Sequence, residues 1–286
     1  MKLFVTGGTG FVGSHFLRAA LGAGYHVTAL KRPGSRTRVP LDREPDWVEG
    51  TLGTPDSAWF RDCECLVHLA AHSANVPYDT LEACLLHNVI EPLRLFEMAA
   101  SQGVGHFVVA GSCFEYGRSG LRYEAIPVDA PLEPTDTYPA SKAAASVAFH
   151  AFACQHRIRL QLLRIFQVYG EGEAESRFWP SLRRAARAGE DFPMTHGGQI
   201  RDFIEVGEVA RQLVRALEGS PPPGEPLMAH VATGFPMSLR AFAEQWWARW
   251  NAQGKLKIGD VPSRPGEIQR YLPHPHTLRY VAGWGE

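Results

Sequence analysis

The feature that most limits how this chain can fold lies in its first fourteen residues. Lys2-Leu3-Phe4-Val5-Thr6 is a short apolar run that leads directly into Gly7-Gly8-Thr9-Gly10-Phe11-Val12-Gly13, and a helical pattern, Val12–Ala23, follows. Glycines at 7, 10 and 13 spell G-x-x-G-x-x-G. Residues without Cβ permit a tight turn between strand and helix, and the helix start directs free N–H groups and the positive end of its dipole into that turn. A pyrophosphate satisfies that arrangement, so a first strand–helix junction of this kind predicts a dinucleotide cradle.

The rest of the first half repeats the alternation. Tyr25–Leu30, Cys65–Ala70 and His106–Ala110 read as strands, Asn88–Ser101 and residues 141–157 as helices, and Leu160–Phe166 as a further strand. Strands alternating with helices predict an α/β fold with a parallel sheet covered on both faces. The texture changes near residue 167. A polar stretch, GEGEAES, precedes a helix at FWPSLRRAARA, and Val206–Leu217 forms another helix stopped by Gly219 and Pro221-Pro222-Pro223. At roughly 150 residues per domain, 286 residues suit two units. Residues 1–167 are expected to bind the dinucleotide, with 201–234 returning to that unit. Residues 168–200 and 235–286 are expected to form a smaller substrate-binding part.

Composition removes several partner classes. A net charge of −1 with interspersed signs leaves no basic footprint for nucleic acid. No run of 18 apolar residues supplies a membrane span. The 5 cysteines (Cys63, Cys65, Cys84, Cys113, Cys154) are odd in number and lack C-x-x-C pairs, which fits reduced thiols in a cytoplasmic enzyme. His274 and His276 have no further ligands near them in sequence, so no metal site is expected.

The end of the second strand bears on cofactor choice. An acidic side chain there would bind the adenosine ribose hydroxyls of NAD. This chain has Lys31 and Arg32, then Arg36 and Arg38, with no carboxylate until Asp42. Cations at that place suit a 2′-phosphate, which predicts NADP(H) over NAD(H), with Arg32 as the first contact and Lys31 the second.

Tyr138-Pro139-Ala140-Ser141-Lys142 puts a phenol and an ammonium four residues apart at a helix start, on one face. At about 4 Å and an effective dielectric near 20, the attraction favouring a phenolate is ~4 kcal/mol. The expectation is a tyrosine that exchanges a proton near neutral pH. Ser112 ends a strand at the carboxyl edge of the sheet, where its hydroxyl can bond a reacting oxygen or cap a turn.

With these residues in view, the chain resembles the extended short-chain dehydrogenase/reductase family, in its nucleotide-sugar epimerase/dehydratase group. The resemblance rests on VTGGTGFVGS (5–14), LVHLAA (66–71), Asn88, FVVAGSCFEYG (107–117), YPASK (138–142), LRIFQVYG (163–170), GGQIRDF (197–203) and RPGE (264–267), in family order along nearly the whole chain. It implies a Rossmann-type doubly wound sheet, a smaller C-terminal substrate domain and a homodimer formed by helices near 80–100 and 141–156. It also implies Tyr138 as proton donor or acceptor, Lys142 on the nicotinamide ribose and Ser112 orienting the carbonyl. Gly7, Gly10, Phe11, Val12, Gly13, Leu52, Leu69, Ala70 and Ala71 would contact the cofactor. His72, Ser73, Cys113, Phe114, Gln167, Arg201 and Arg264 would contact the substrate, the two arginines clamping its diphosphate.

Where similar dehydratases carry Asp-Glu after the catalytic hydroxyl residue, this chain has Cys113 and Phe114; Glu115 stands one place further. Gln167 and Thr51 also depart from the residues usual in the family. The expectation is therefore NADPH-dependent reduction of a keto group on a nucleotide-activated 6-deoxy-4-keto sugar. The alternatives are a nucleotide-sugar epimerase with retained cofactor and a ketoreductase of a non-sugar natural-product ketone.

Overall fold

A computed structural model describes residues 1–219, 221–263 and 268–280. In chain order, β1 (Lys2–Thr6), α1 (Phe11–Gly22), β2 (His26–Lys31), β3 (Asp46–Glu49) and β4 (Cys65–His68) open the fold. They are followed by α2 (Leu81–Leu85), α3 (Glu91–Ser101), β5 (His106–Ser112), α4 (Thr137–His156) and β6 (Arg159–Ile165). Seven parallel strands form one sheet in the order β10-β6-β5-β4-β1-β2-β3, where β10 is Leu227–Val231. Strand order reverses between β1 and β4, so a crevice opens at their carboxyl ends, where open α/β sheets take ligands.

The period of two along β1 builds both faces. Leu3 and Val5 join Phe16 and Leu17 of α1 and the buried face of α6 (Val206–Ala216) in one core. Phe4 points the other way, into a second core with Phe96, Phe107 and Phe149. Those aromatics pack ring on ring, Phe96 lying 4.7 Å from Phe149 and 5.0 Å from Phe107 between centroids. Burying one such side chain contributes roughly 1.5–3 kcal/mol, so these two layers hold the sheet between them.

The smaller part is built from β7 (Gln167–Tyr169), α5 (Phe178–Ala188), β8 (Phe192–Met194), β9 (Ile200–Glu205), β11 (Pro236–Ser238), α7 (Leu239–Arg249), β12 (Leu256–Ile258) and β13 (Arg270–Tyr271). β9 is flanked by β11, β13 and β7, and β12 pairs with β8. Trp179, Trp246 and Trp250 pack together between α5 and α7. The chain goes back to the large sheet through α6, against α1, and β10, against β6; β9 stays with the smaller sheet.

Several local readings shift. The helix expected at Asn88–Ser101 begins earlier, at α2, and passes through one π turn, Leu86–Ile90, before α3. Pro92, in the first turn of α3, has no N–H for the carbonyl four residues back, and a wider turn accommodates that loss. The short β3, exposed at both ends and only half-buried between, was too brief to stand out in the sequence. Phe149 and Phe152, on one of the two helices expected to pair two copies, are buried in their own chain's core. Exposed apolar side chains on that side are Leu86, Ile90 and Val147.

Candidate active site

A cavity of about 1270 Å³ lies at the carboxyl ends of the strands and runs from the glycine turn to the start of α4. Its first wall is backbone. Gly7 has φ +74°, and a Cβ there would lie 2.4 Å from the Ala70 nitrogen. A Cβ on Gly13 would lie 2.0 Å from the Gly7 carbonyl oxygen, whereas one on Gly10 would meet that oxygen at 3.1 Å. Gly7 and Gly13 thus let strand, turn and helix close on one another, and the Gly10 N–H donates to the Gly7 carbonyl at 2.9 Å. The glycines divide their labour more than the sequence pattern suggested. Phe11, Val12, Leu52, Leu69, Ala70 and Ala71 line the same space. The cradle has the shape and dipole that a dinucleotide pyrophosphate requires.

At the outer end Arg32, Arg36 and Arg38 line the cavity with Ser35 and Thr37. Lys31 lines it too, but its Nζ is 3.4 Å from Glu49 Oε1 and lies 5.6 Å from the Trp47 ring centre. Glu49 comes from β3, opposite Lys31 in the ladder. Reading along the chain found no carboxylate before Asp42, and the sheet supplies one from further on.

At the inner end α4 brings Tyr138 and Lys142 to the cavity wall a turn apart, and both are buried. Ser112 lines it from the end of β5. The serine has two tasks locally: its hydroxyl accepts from the Phe114 N–H at 3.2 Å, and its own N–H donates to Glu115 Oε1 at 2.7 Å. Lys142 Nζ donates to the Ala110 carbonyl at 2.8 Å. Burial pushes the Tyr138 phenol well up, helped by the charge of Glu115 and by Tyr78 and Cys113; Arg177 opposes. Burial also pushes Lys142 down. The sequence expectation of a phenol already lowered by its lysine is therefore corrected. The ammonium is bonded to a backbone carbonyl, and desolvation dominates the phenol.

Asn88, on the π turn, fastens the β4 loop to α4. Its Oδ1 accepts from the His72 N–H at 2.7 Å, and its Nδ2 donates to the His72 carbonyl at 3.1 Å and to Ser141 Oγ at 2.9 Å. His72 and Ser73 line the cavity, and both are tied to Asp79: His72 Nε2 pairs with its carboxylate at 2.9 Å, and Ser73 Oγ accepts from its N–H at 2.7 Å. Cys113, Phe114 and Gln167 also line the cavity. Burial pushes the Cys113 thiol up to about 12, so it is no thiolate at neutral pH.

Glu115 is fully buried and turned away from the cavity. Besides Ser112 it accepts from Ser146 Oγ at 2.6 Å and Arg164 Nε at 2.7 Å. Arg164 Nη1 goes on to Tyr116 Oη at 2.8 Å, and Tyr116 Oη is bonded to His230 at 2.6 Å. Arg201 is outside the cavity lining; its guanidinium donates to the carbonyls of Ile200 and Ile268 at 2.8 and 2.6 Å. Arg264 is outside the described residues. Two residues that sequence reasoning passed over, Glu173 and Arg177, line the cavity. The signal was a carboxylate and a guanidinium four apart at the start of a helix, in a segment read as polar loop.

The model of the NAD dependent epimerase/dehydratase family matches residues 3–227. A UDP-glucose 4-epimerase of Corynebacterium glutamicum is 27% identical over 99% of this chain and 90% of its own. A dTDP-6-deoxy-L-talose 4-dehydrogenase (NAD(+)) of Aggregatibacter actinomycetemcomitans is 23% identical over 92% of this chain and 96% of its own. Among solved structures, MoeE5 in complex with UDP-glucuronic acid and NAD superposes with a TM-score of 0.82 at 25% identity, over 99% of this chain and 94% of that one.

Proposed function

The chain belongs to the NAD dependent epimerase/dehydratase family, as an enzyme of the extended short-chain dehydrogenase/reductase type, and on that premise we propose that it reduces the keto group of a nucleotide-activated 6-deoxy-4-keto sugar with NADPH. The observation that carries this is the cavity itself, which takes in the glycine cradle, the arginines at 32, 36 and 38, and Ser112, Tyr138 and Lys142. Cys113 and Phe114 stand where an acid and a base for dehydration would have to be, and Glu115 is buried behind them. A relative that dehydrogenates a 6-deoxy sugar nucleotide by name supports chemistry at that carbon.

A bound nicotinamide dinucleotide supplies the hydride. Gly7–Gly13 and the start of α1 hold its pyrophosphate, and Arg32 leads the guanidinium contacts to a 2′-phosphate. Lys142 would fix the ribose. Tyr138, whose pKa burial has raised, keeps its proton until the ketone oxygen takes it, which suits the reducing direction. Ser112 bonds the same oxygen as charge develops there. From the smaller part, Gly172, Glu173, Ala174 and Arg177 line the space that would take the sugar.

Purified protein mixed with NADPH and a dTDP-4-keto-6-deoxy sugar should consume the near-ultraviolet absorbance of NADPH. No consumption with any nucleotide-activated keto sugar overturns the proposal. The epimerase reading is favoured by the match to a UDP-glucose 4-epimerase along almost the whole chain. It calls for tightly retained cofactor and interconversion of epimers without net oxidation, so the cofactor content of the purified protein separates the two.

A further inference from the structure

The turn between β7 and α5 carries a side chain whose position folding alone does not account for. The turn is tied down at both ends: the Glu171 carbonyl is bonded to His15 Nε2 at 2.8 Å, and the Arg177 N–H donates to the Ala174 carbonyl at 2.9 Å. A Cβ on Gly172, at φ +84°, would come within 3.0 Å of Arg38 Cβ, so the turn lies against the arginine-rich loop. Between these anchors the Glu173 side chain is only 8% exposed. Its Oε1 is 3.4 Å from Arg177 Nε, and its Oε2 has no hydrogen-bond partner among the described residues.

Buried polar oxygens are nearly always paired, and one left unpaired is costly. Glu173 and Arg177 both line the cavity, so a bound molecule is the available source of a partner. Arg177 also reaches inward far enough for its charge to bear on Tyr138, Tyr78 and Cys113. Burial pushes the Glu173 carboxyl up to about 7, against the pull of Arg177 and the Gly170 backbone. A hydroxyl suits such a group in either state, donating to the carboxylate or accepting from the acid. A phosphate oxygen suits only the acid and is repelled by the carboxylate.

We infer that Glu173 and Arg177 form a ligand subsite in which the unpaired oxygen of Glu173 binds a sugar hydroxyl, on the substrate's glycosyl group or on a cofactor ribose. The glycosyl case rests on the nucleotide-sugar reading above; the ribose case does not. Arg177 holds the carboxyl in place and offers its guanidinium to the neighbouring oxygen-rich part of the ligand.

The test is calorimetric titration of wild type and Glu173→Ala, which removes both carboxyl oxygens, with UDP-glucose and dTDP-glucose, with UDP and dTDP, and with NADP⁺ and NAD⁺. Losing one hydrogen bond to an ionisable group weakens binding about 30-fold. A loss of that size for the glucose-bearing nucleotides, with UDP and dTDP unchanged, places the hydroxyl on the substrate. The same loss for the dinucleotides places it on the cofactor. Equal weakening with and without the glucosyl group means that Glu173 acts only through Arg177, and it overturns the inference, as does no change in either arm. If wild type takes up no nucleotide sugar, the substrate reading fails by itself, and the dinucleotide arm alone then upholds or overturns this one. Glu173→Asp, which keeps the charge but withdraws the oxygen, serves if the alanine variant melts early.

Discussion

The two ends of the cavity are built from different material. Beneath its arginines the outer end is shaped by backbone: the turn at Gly7–Gly13 presses against Ala70 so closely that single Cβ atoms would collide with main chain. The inner end is side chain, drawn from β5, α4 and the β7–α5 turn, and it is backed by a buried charged cluster of Glu115, Arg164, Tyr116 and His230. The backbone end fails by steric collision, while the side-chain end fails by leaving a polar group without its partner. Substitutions should therefore separate the ends by kind of damage: loss of shape and binding at one, loss of chemistry or of buried charge balance at the other.

The largest expected effect is at the inner end. Tyr138→Phe should cut turnover ~10³-fold while dinucleotide affinity and melting temperature stay near wild type; unchanged turnover would mean that the inner end does no proton chemistry. Next comes the support behind it. Arg164→Met removes the guanidinium from Glu115 and leaves a fully buried carboxylate, which should cost about 4 kcal/mol in urea unfolding. The double replacement Glu115→Leu with Arg164→Met should recover much of that loss, because the charge is gone as well.

At the outer end, Gly13→Ala should cost about 3 kcal/mol and weaken dinucleotide binding, since neither the Gly7 carbonyl nor the Leu17-packed turn can retreat. Gly10→Ala, with one looser contact, should cost clearly less. If the two variants behaved alike, the division of labour among the glycines would be wrong.

Acid probes the strands between the ends. His68, at the end of β4, is bonded to Thr6 Oγ1 at 2.8 Å, and burial and Lys142 hold its pKa down to about 3. The unfolded chain, with an imidazole near 6.5, takes up this proton as pH falls below that value and the folded chain does not, so stability drops between pH 6.5 and 3. By pH 5 the loss from this group is about 2 kcal/mol, and His68→Gln should shallow the slope of unfolding free energy against pH by that amount. The smallest effect is expected for Arg32→Ala, about a tenfold loss of NADPH affinity with NADH affinity unchanged.

The backbone end was legible in the sequence because it is local. Glycine spacing, a strand before it and a helix after it are all contained in Lys2–Gly22. Tyr138 and Lys142 were legible for the same reason, being one turn apart on α4. What the sequence hid comes from distant segments meeting: Glu49 beside Lys31 across a ladder, Glu115 beside Arg164, and Lys142 bonded to Ala110 rather than acting on its phenol. Glu173 and Arg177 were adjacent enough to notice, yet nothing local says that their turn folds back over the cavity. Arg201, to which a motif gave a place at the substrate, donates to the neighbouring carbonyls of Ile200 and Ile268, contacts no spacing could announce.

The placing of β10 beside β6 also bears on how the molecule is made. A nascent chain leaves the ribosome with β6 complete but its outer edge bare, and that edge stays unpaired until Leu227–Val231 has been synthesised. Strands β7, β8 and β9 of the smaller part, with α5 and α6, must emerge in the meantime. Construction of the first half therefore cannot finish before much of the second exists, and a cut or fusion anywhere between Ile165 and Leu227 leaves a sticky, parallel-seeking strand exposed to the crowded cell.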